Sequence, residues 1–169
     1  MSGTATDEAL NDLTQSLRFA NIYTLRFAGN RRLSDDAESF RVTVSPAFVR
    51  LPDRLDYLFE ATCEPFNTDG DLVADLSLSI IATFDVLENA DSGAWSVEAI
   101  HSFGGEVALY SVYPYLRQAV QDLGGRIGLP NMTMDLLKRG QPLPLGLALA
   151  GVNTEEDAVT QDSNAPHSN

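Results

Sequence analysis

The sequence predicts an α+β fold: a four-stranded antiparallel sheet with one main C-terminal helix packed on one face, and disordered termini. Four segments alternate apolar and polar residues with the period of a strand, and one later segment repeats apolar residues with the period of a helix. A chain of 169 residues, 44% of them hydrophobic, can bury one core. We expect a disordered N-terminal segment over 1–14, one domain over 15–150 and an acidic disordered tail over 151–169.

Each predicted strand has one dry face and one wet face, which is typical of an antiparallel sheet. Short turns at 51–54 and 65–70 connect the second, third and fourth strands. The predicted dry faces contain Leu17, Phe19, Tyr23, Leu25 and Phe27 in the first strand, Phe40, Val42, Val44 and Phe48 in the second, Leu55, Tyr57, Phe59, Ala61 and Cys63 in the third, and alternate residues from Leu72 to Val86 in the fourth.

One helix is predicted to cover the dry face. Proline is tolerated only near a helix start, so Pro114 predicts that the regular helix begins close to Ser111. Gly124 and Gly125 mark its end, where a left-handed residue stops the helix. Prolines at 142 and 144 then break any second helix before Leu147. The apolar stripe consists of Tyr113, Leu116, Val120, Leu123 and Ile127, and it is preceded by Leu109, which is predicted to lie in the approach to the helix.

Charge and composition exclude several classes of partner. The formal net charge of −13, from 24 acidic and 11 basic residues, opposes binding to nucleic acid phosphates. No run is apolar enough to span a bilayer, and residues 1–13 lack the basic start and apolar stretch of a signal peptide. We therefore expect no membrane insertion and a cytoplasmic location. The lone Cys63 is expected to be a buried structural thiol.

The sequence offers no pattern for catalysis. His101 and His167 are the only histidines, and no group of His, Cys, Asp and Glu has the ligand spacing of a zinc site. The NTDGD run at 67–71 lacks the leading acids and the distant glutamate of a calcium loop, so a hairpin turn is favoured. No nucleophile has a plausible base. We expect no enzymatic activity, no metal and no cofactor.

The most specific motif lies at and after the predicted helix. Residues 113–117 have the sequence YPYLR, and residues 126–134 have the sequence RIGLPNMTM. This order resembles the SecB family of protein-export chaperones, and it is closest to the SecB-like chaperones of mycobacteria, including those of toxin-antitoxin-chaperone modules. The resemblance covers residues 17–144, with dense agreement in 112–139 and a shorter match, NIYT, at 21–24.

The resemblance implies an ATP-independent chaperone that binds unfolded or precursor polypeptides in an apolar groove and keeps them soluble for export or assembly. The groove would lie between the crossover after the first strand, 28–39, and the segment after the helix. Flexible methionines suit a surface that accepts many sequences, whereas the residues alone favour Met132 and Met134 as core. The implied client-binding residues are Phe27, Leu33, Phe40, Leu129, Met132, Met134, Leu136 and Leu137.

A second, partly polar face of the helix indicates contact with another subunit. In SecB proteins this helix lies between the sheets of two dimers, and edge strands of neighbouring subunits pair. The resemblance therefore implies a homotetramer built as a dimer of dimers. The implied interface residues are Tyr113, Tyr115, Arg117, Gln118 and Gln121.

Two protein partners follow from the resemblance. Export SecB proteins dock the SecA motor through acids on and after the first strand, but Arg26 and Asn30 stand there in this chain. Only Asp75 on the fourth strand remains, so SecA docking is disfavoured. An antitoxin is the alternative partner, with the chain as its dedicated chaperone. A small-ligand-binding or assembly module without chaperone activity is the alternative of another class.

Overall fold

The computed structural model describes the backbone of residues 3–137 and 147–149, and the side chains of residues 8–137. A π-helical segment, Gly104–Ala108, joins the second helix to the third, and a short 3-10 turn, Ser92–Ala94, precedes the second helix. The helices are α1 (Gly3–Ser16), α2 (Val97–Phe103) and α3 (Leu109–Arg126), and the strands are β1 (Leu17–Arg31), β2 (Ser39–Arg50), β3 (Arg54–Phe66), β4 (Ala74–Val86) and β5 (Leu147–Leu149).

The strands form one sheet in the order β1-β4-β3-β2-β5. The first four strands pair antiparallel, so the predicted fold class is confirmed. β5 adds a short parallel pairing against Val42–Val44 of β2, which the sequence does not predict.

The link between β3 and β4 is the predicted turn. The Asn67 side-chain oxygen accepts hydrogen bonds from the backbone N–H groups of Asp69 and Asp71, at 3.0 and 2.8 Å. Gly70 has a φ of 85°, a conformation that glycine adopts without strain. The polar side chains of this run thus build a hairpin.

The core lies between the dry face of β2, β3 and β4 and the helical segment from α2 to α3. Tyr57 stacks on Phe103 at 5.9 Å between ring centroids, and its hydroxyl donates to the carbonyl of Ile100 at 2.6 Å. Burial raises the pKa of Tyr57 above its ordinary value. A Cβ at Gly104 would lie 2.8 Å from the Tyr57 ring, so this glycine permits the close approach of helix and sheet. Cys63 is buried, as predicted.

β1 departs from the predicted alternation. Register shifts between Phe19 and Asn21 and between Thr24 and Arg26 insert one extra residue each. Because a one-residue slip moves every following side chain to the opposite face, Tyr23 stands opposite Ile81 on the wet face instead of on the dry face. The predicted dry-face positions of Tyr23 and Leu25 are therefore wrong, and Leu25 is one of the inserted residues. Ile22 and Thr24 stand opposite Ala82 and Ile80 of the dry face.

The helical region begins well before the predicted start near Ser111. It runs from Val97, where the Ser96 hydroxyl accepts a hydrogen bond from the N–H of Ala99 at 3.1 Å. Pro114 lies inside α3, because burial of side chains upstream extends the apolar stripe past it. The left-handed terminator is Gly128, with a φ of 80°, and not the predicted Gly124 or Gly125, which are part of α3. The upstream buried side chains are Ile100, Phe103, Ala108 and Leu109.

The N-terminus also differs from expectation, since Gly3–Ser16 is helical where the sequence predicts a disordered segment over 1–14. Leu13 is fully buried, and the N–H of Leu87 donates to the carbonyl of Ser16 at 3.0 Å. Burial of this single leucine gives the polar segment a reason to order. The predicted tail, 151–169, lies outside the described residues. None of the described helices is long and apolar enough to cross a bilayer.

Candidate functional site

A cleft of ≈ 360 Å³ opens between two backbone segments at one end of the sheet. One wall is formed by residues 36–40, which belong to the crossover (residues 32–38) and the start of β2. The other wall is formed by residues 129–132 of the post-helix segment (residues 127–137). These are the two segments between which the sequence predicts a groove. We refer to this space as the cleft.

The crossover is fixed to the turn between β3 and β4. The backbone N–H groups of Arg32 and Leu33 both donate to the carbonyl of Val73, at 2.8 and 3.0 Å. The Asn67 amide donates to the Asp35 carboxylate at 2.9 Å. At the other end, the N–H of Glu38 donates to the carbonyl of Phe66 at 2.9 Å. The crossover wall is therefore attached to the sheet at both ends.

The post-helix segment is fixed to α3 by two side chains of the helix. The Tyr113 hydroxyl donates to the carbonyl of Asp135 at 2.5 Å, and the Arg117 guanidinium donates to the carbonyl of Met134 at 2.6 Å. Burial raises the pKa of Tyr113, with the Asp135 carboxylate adding to the shift and Arg117 opposing it. The N–H of Leu129 donates to the carbonyl of Gly124 at 2.7 Å. Helix and segment thus form one unit.

Arg31, the last residue of β1, contacts both segments. Its guanidinium donates to the carbonyls of Leu33, Ser34 and Asp35 in the crossover, at 2.8, 2.8 and 2.9 Å. It also donates to the carbonyls of Ile127 and Gly128 at the start of the post-helix segment, at 2.9 and 2.7 Å. One side chain therefore spans the bases of both cleft walls.

Of the predicted client-binding residues, Phe40, Leu129 and Met132 line the cleft. Met132 and Met134 are only 2% and 3% exposed, which agrees with the core position that the residues alone favour and not with an exposed client-binding surface. Leu129 is equally buried, because the post-helix segment folds back onto α3 through Tyr113 and Arg117. Leu129 and Met132 therefore present only edges to the cleft, and Met134 does not line it.

The remaining predicted client-binding residues lie outside the cleft. Phe27 is on β1, and the guanidinium of Arg126 lies 5.9 Å from the centroid of its ring. Leu33 is exposed on the crossover. Leu136, 65% exposed, and the half-buried Leu137 border a second depression of ≈ 350 Å³ beside α3. The structure therefore divides the predicted set between two places.

The second depression also contains most of the predicted oligomer-interface residues, namely Tyr113, Arg117, Gln118 and Gln121. Tyr113 is buried and Arg117 half-buried, and both bind the backbone of the same chain. Their hydrogen bonds give them an intramolecular role that the sequence analysis did not assign. Gln118, Gln121 and Tyr115, which is 48% exposed, remain accessible on the outer face of α3.

Known proteins resemble this chain in fold and in sequence. No known family profile matches the chain. A solved structure, the SecB-like chaperone Rv1957 of Mycobacterium tuberculosis in complex with a ChAD peptide from the Rv1956 HigA1 antitoxin, superposes with a TM-score of 0.70. The match covers 79% of this chain and 99% of that chain, at 20% sequence identity. The fold is SecB-like.

Two curated relatives support the SecB-like assignment. They are named SecB-like chaperone Rv1957 and SecB-like chaperone MT2006, from two strains of Mycobacterium tuberculosis. Each is 29% identical over 80 residues, which is 47% of this chain and 43% of the relative. The chain thus matches less than half the length of the curated relatives. The resemblance to SecB-like chaperones inferred from the motifs is confirmed.

Arg31, which contacts the segments of both cleft walls, was not among the residues predicted from the sequence. All five acceptors of Arg31 are backbone carbonyls, which leave no signature in the sequence. The nearest available signal was its place at a strand end before a crossover. Arg117 belongs to the recognised YPYLR motif, but its acceptor is a carbonyl as well. The hydrogen bonds from Arg31 and Arg117 to backbone carbonyls are therefore visible only in the structure.

Proposed function

We propose that the chain is an ATP-independent chaperone that binds non-native polypeptide segments in the cleft. The observation that carries the proposal is the cleft itself, with apolar edges of Phe40, Leu129 and Met132 between two backbone walls. Its place in a SecB-like fold, between the crossover and the post-helix segment, supports a polypeptide ligand. Burial of apolar client side chains would supply affinity at roughly 25 cal/mol per Å², so binding itself needs no nucleotide.

Charge at the rim indicates which segments would be favoured. Asp36 and Glu38 are exposed on the crossover wall, in a chain whose formal net charge is −13. Opposite charges across an interface speed encounter and set register more than they add affinity. We expect clients whose apolar residues are flanked by Lys or Arg to bind faster than those flanked by Asp or Glu, with a difference that shrinks in high salt.

A dedicated role towards an antitoxin is the second candidate function. It is favoured by one observation, namely that the SecB-like chaperone with the matching fold was solved with an antitoxin peptide. Under this proposal a single antitoxin segment binds more tightly than unrelated unfolded proteins. Competition between an antitoxin encoded beside this chain and an unrelated unfolded client separates the two candidates.

Export through SecA is the less favoured route. Asp75, the acid expected to remain on the fourth strand, forms an ion pair with Arg32. Arg26 is exposed on β1 and adds positive charge to the same face, where Asn30 pairs with Asp75 across the strands. An acidic docking patch on this face is therefore partly neutralised. We propose that the chain acts in the cytoplasm on clients that do not depend on SecA.

Assembly as a homotetramer is part of the proposal. β1 is 15 residues long and pairs along one edge with β4, and it exposes large apolar side chains at the sheet margin. Long apolar edge strands pair readily with another chain. The outer face of α3 would supply the second interface through Tyr115, Gln118 and Gln121. The exposed apolar residues of β1 are Phe19, Tyr23, Leu25 and Phe27.

Aggregation assays test the proposed chaperone activity. A chemically unfolded client is diluted with or without an excess of the chain, and no nucleotide is added. We expect light scattering by the aggregating client to fall in a dose-dependent way. Unchanged aggregation of several clients, together with a monomeric mass and one tightly bound small molecule, would instead support the small-ligand alternative.

A further inference from the structure

Arg31 combines three properties that its position in a strand does not require. It is half-buried, it makes five hydrogen bonds, and every acceptor is a carbonyl of one of two separate backbone segments. Each bond is charge-assisted, which makes it stronger than a neutral hydrogen bond. Two of the acceptors follow directly after α3, at the negative end of its dipole.

The acceptors lie immediately before the two cleft walls. In the crossover they end at Asp35, and the wall begins at Asp36. After α3 they end at Gly128, and the wall begins at Leu129. The other hydrogen bonds of these segments run to different elements, the crossover to the end of β3 and the turn before β4, and the post-helix segment to α3.

We infer that Arg31 sets the separation of the two cleft walls and thereby selects the size of the apolar side chain that the cleft accepts. The inference rests on the proposed function, because it concerns a polypeptide ligand of that cleft. Arg31 is a positioning residue, since it acts through the walls and lies behind them. Among the hydrogen bonds of residues 8–137, those of Arg31 alone reach both the crossover and the post-helix segment.

The chemistry requires arginine and a glycine opposite it. Arginine presents its donors in a rigid planar fork, which can serve carbonyls on two sides at once, whereas lysine offers one compact charge. Gly128 adopts a φ of 80°, and a Cβ there would lie 2.7 Å from the Arg31 terminal nitrogen. A side chain at 128 would therefore push the guanidinium away from the post-helix segment.

The separation of the walls would matter for selectivity because the cleft is small. Apolar pockets discriminate between ligands that differ by one methylene by roughly tenfold or more when their walls are held at a fixed distance. Walls that move independently repack around different side chains and lose that discrimination. Arg31 would thus control selectivity more than it controls overall affinity.

The first experiment needs no client. Amide hydrogen exchange is compared for Arg31→Met, for the parent chain and for Arg18→Met, which removes an exposed arginine of the same strand with a single ion pair to Asp85. We expect exchange to accelerate by roughly tenfold in both 33–40 and 129–134 of Arg31→Met, with β3 and β4 unchanged. Acceleration in only one segment, or equal acceleration in Arg18→Met, overturns the link.

The second experiment measures selectivity. Three short fluorescein-labelled peptides of apolar and basic residues carry Ala, Leu or Trp at one central position. Their Kd values should spread by roughly tenfold or more in the parent chain and in Arg18→Met, and by about threefold or less in Arg31→Met. An undiminished spread in Arg31→Met overturns the selectivity role. A parent chain that binds none of the peptides refutes the proposed function, and the exchange data then still decide the link.

Two further variants guard against a misfolded Arg31→Met. Gly128→Ala keeps the arginine but blocks its approach, so it should reproduce both the paired acceleration and the reduced spread. Arg31→Lys keeps the charge and should restore only part of the parent behaviour. If Gly128→Ala accelerates exchange in the post-helix segment alone and keeps the peptide spread, Arg31 does not join the walls.

Discussion

The central strands and the cleft walls are held in place by different kinds of interaction. β2, β3 and β4 are joined by continuous ladders of backbone hydrogen bonds and share a face of fully buried side chains. The cleft walls are held by a small number of individual hydrogen bonds, from the side chains of Arg31, Tyr113 and Arg117 and from a few backbone N–H groups. Damage to the central sheet should therefore unfold the chain, whereas damage to an attachment should loosen one wall.

The largest expected effect comes from cutting into the core. Leu116 is fully buried on α3, and Leu116→Ala should lower the free energy of unfolding by about 2–5 kcal/mol, because it leaves a cavity against the sheet. The matched control is Leu136→Ala, at a 65% exposed leucine of the post-helix segment. Urea unfolding measures both. Equal losses for the two leucines would contradict the division between core and cleft.

Two neighbouring glycines near the contact between helix and sheet should respond differently to replacement by alanine. A Cβ at Gly104 would meet the Tyr57 ring at 2.8 Å, while one at Gly105 would have nothing within 4 Å. Gly104→Ala should therefore cost about 1–3 kcal/mol of unfolding free energy through overpacking. Gly105→Ala should be neutral or stabilising by roughly 0.5–1 kcal/mol, since alanine is the better helix former. An equal loss of unfolding free energy in both variants would show that contact with the Tyr57 ring is not the cause.

A smaller effect is expected at an attachment. Tyr113→Phe removes the hydrogen bond to the Asp135 carbonyl and should cost about 1 kcal/mol. Limited proteolysis should then cut the post-helix segment sooner, while the transition of the sheet remains cooperative. Tyr115→Phe is the matched control, because that tyrosine is 48% exposed on the same helix. Early cleavage in both variants would show that the hydroxyl of Tyr113 does not secure the segment.

An effect of similar size concerns pH. Burial raises the pKa of the Cys63 thiol to about 12, with the neighbouring Glu64 carboxylate adding to it. In the unfolded chain a thiol ionises near pH 8.5, so the unfolded state gains stability above that pH while the folded state does not. Between pH 8 and 10 the parent should lose about 1–2 kcal/mol more unfolding free energy than Cys63→Ala. Parallel pH profiles for the two chains would contradict this.

The sequence predicted the central sheet because burial there follows a strict period of two. Residues such as Tyr57, Phe59 and Ile80 occupy the predicted dry face without interruption. The period fails in β1, where one inserted residue reverses the faces and a second restores them, and no residue type announces a bulge. The helix start was predicted too late, near Pro114, because burial of the upstream side chains outweighed the free-energy cost of a proline inside the helix.

The candidate site was predicted in its location but not in its construction. The YPYLR motif and the segment after it indicated a groove beside the crossover, and the cleft lies there. The methionines proved to be buried because Tyr113 and Arg117 pull the post-helix segment onto α3. Hydrogen bonds from side chains to distant carbonyls carry no sequence pattern, so Arg31 could not have been recognised.

Photo-crosslinking shows directly whether an apolar polypeptide binds in the cleft. A short apolar peptide with flanking lysines and a central benzophenone residue is irradiated with the full chain in the absence of nucleotide, and the crosslinked residues are mapped by mass spectrometry. An excess of the same peptide without benzophenone serves as the competitor. We expect competitor-sensitive crosslinks concentrated in 36–40 and 129–132. Crosslinks confined to the wet face of the sheet or to the outer face of α3, or none that the competitor removes, would contradict it.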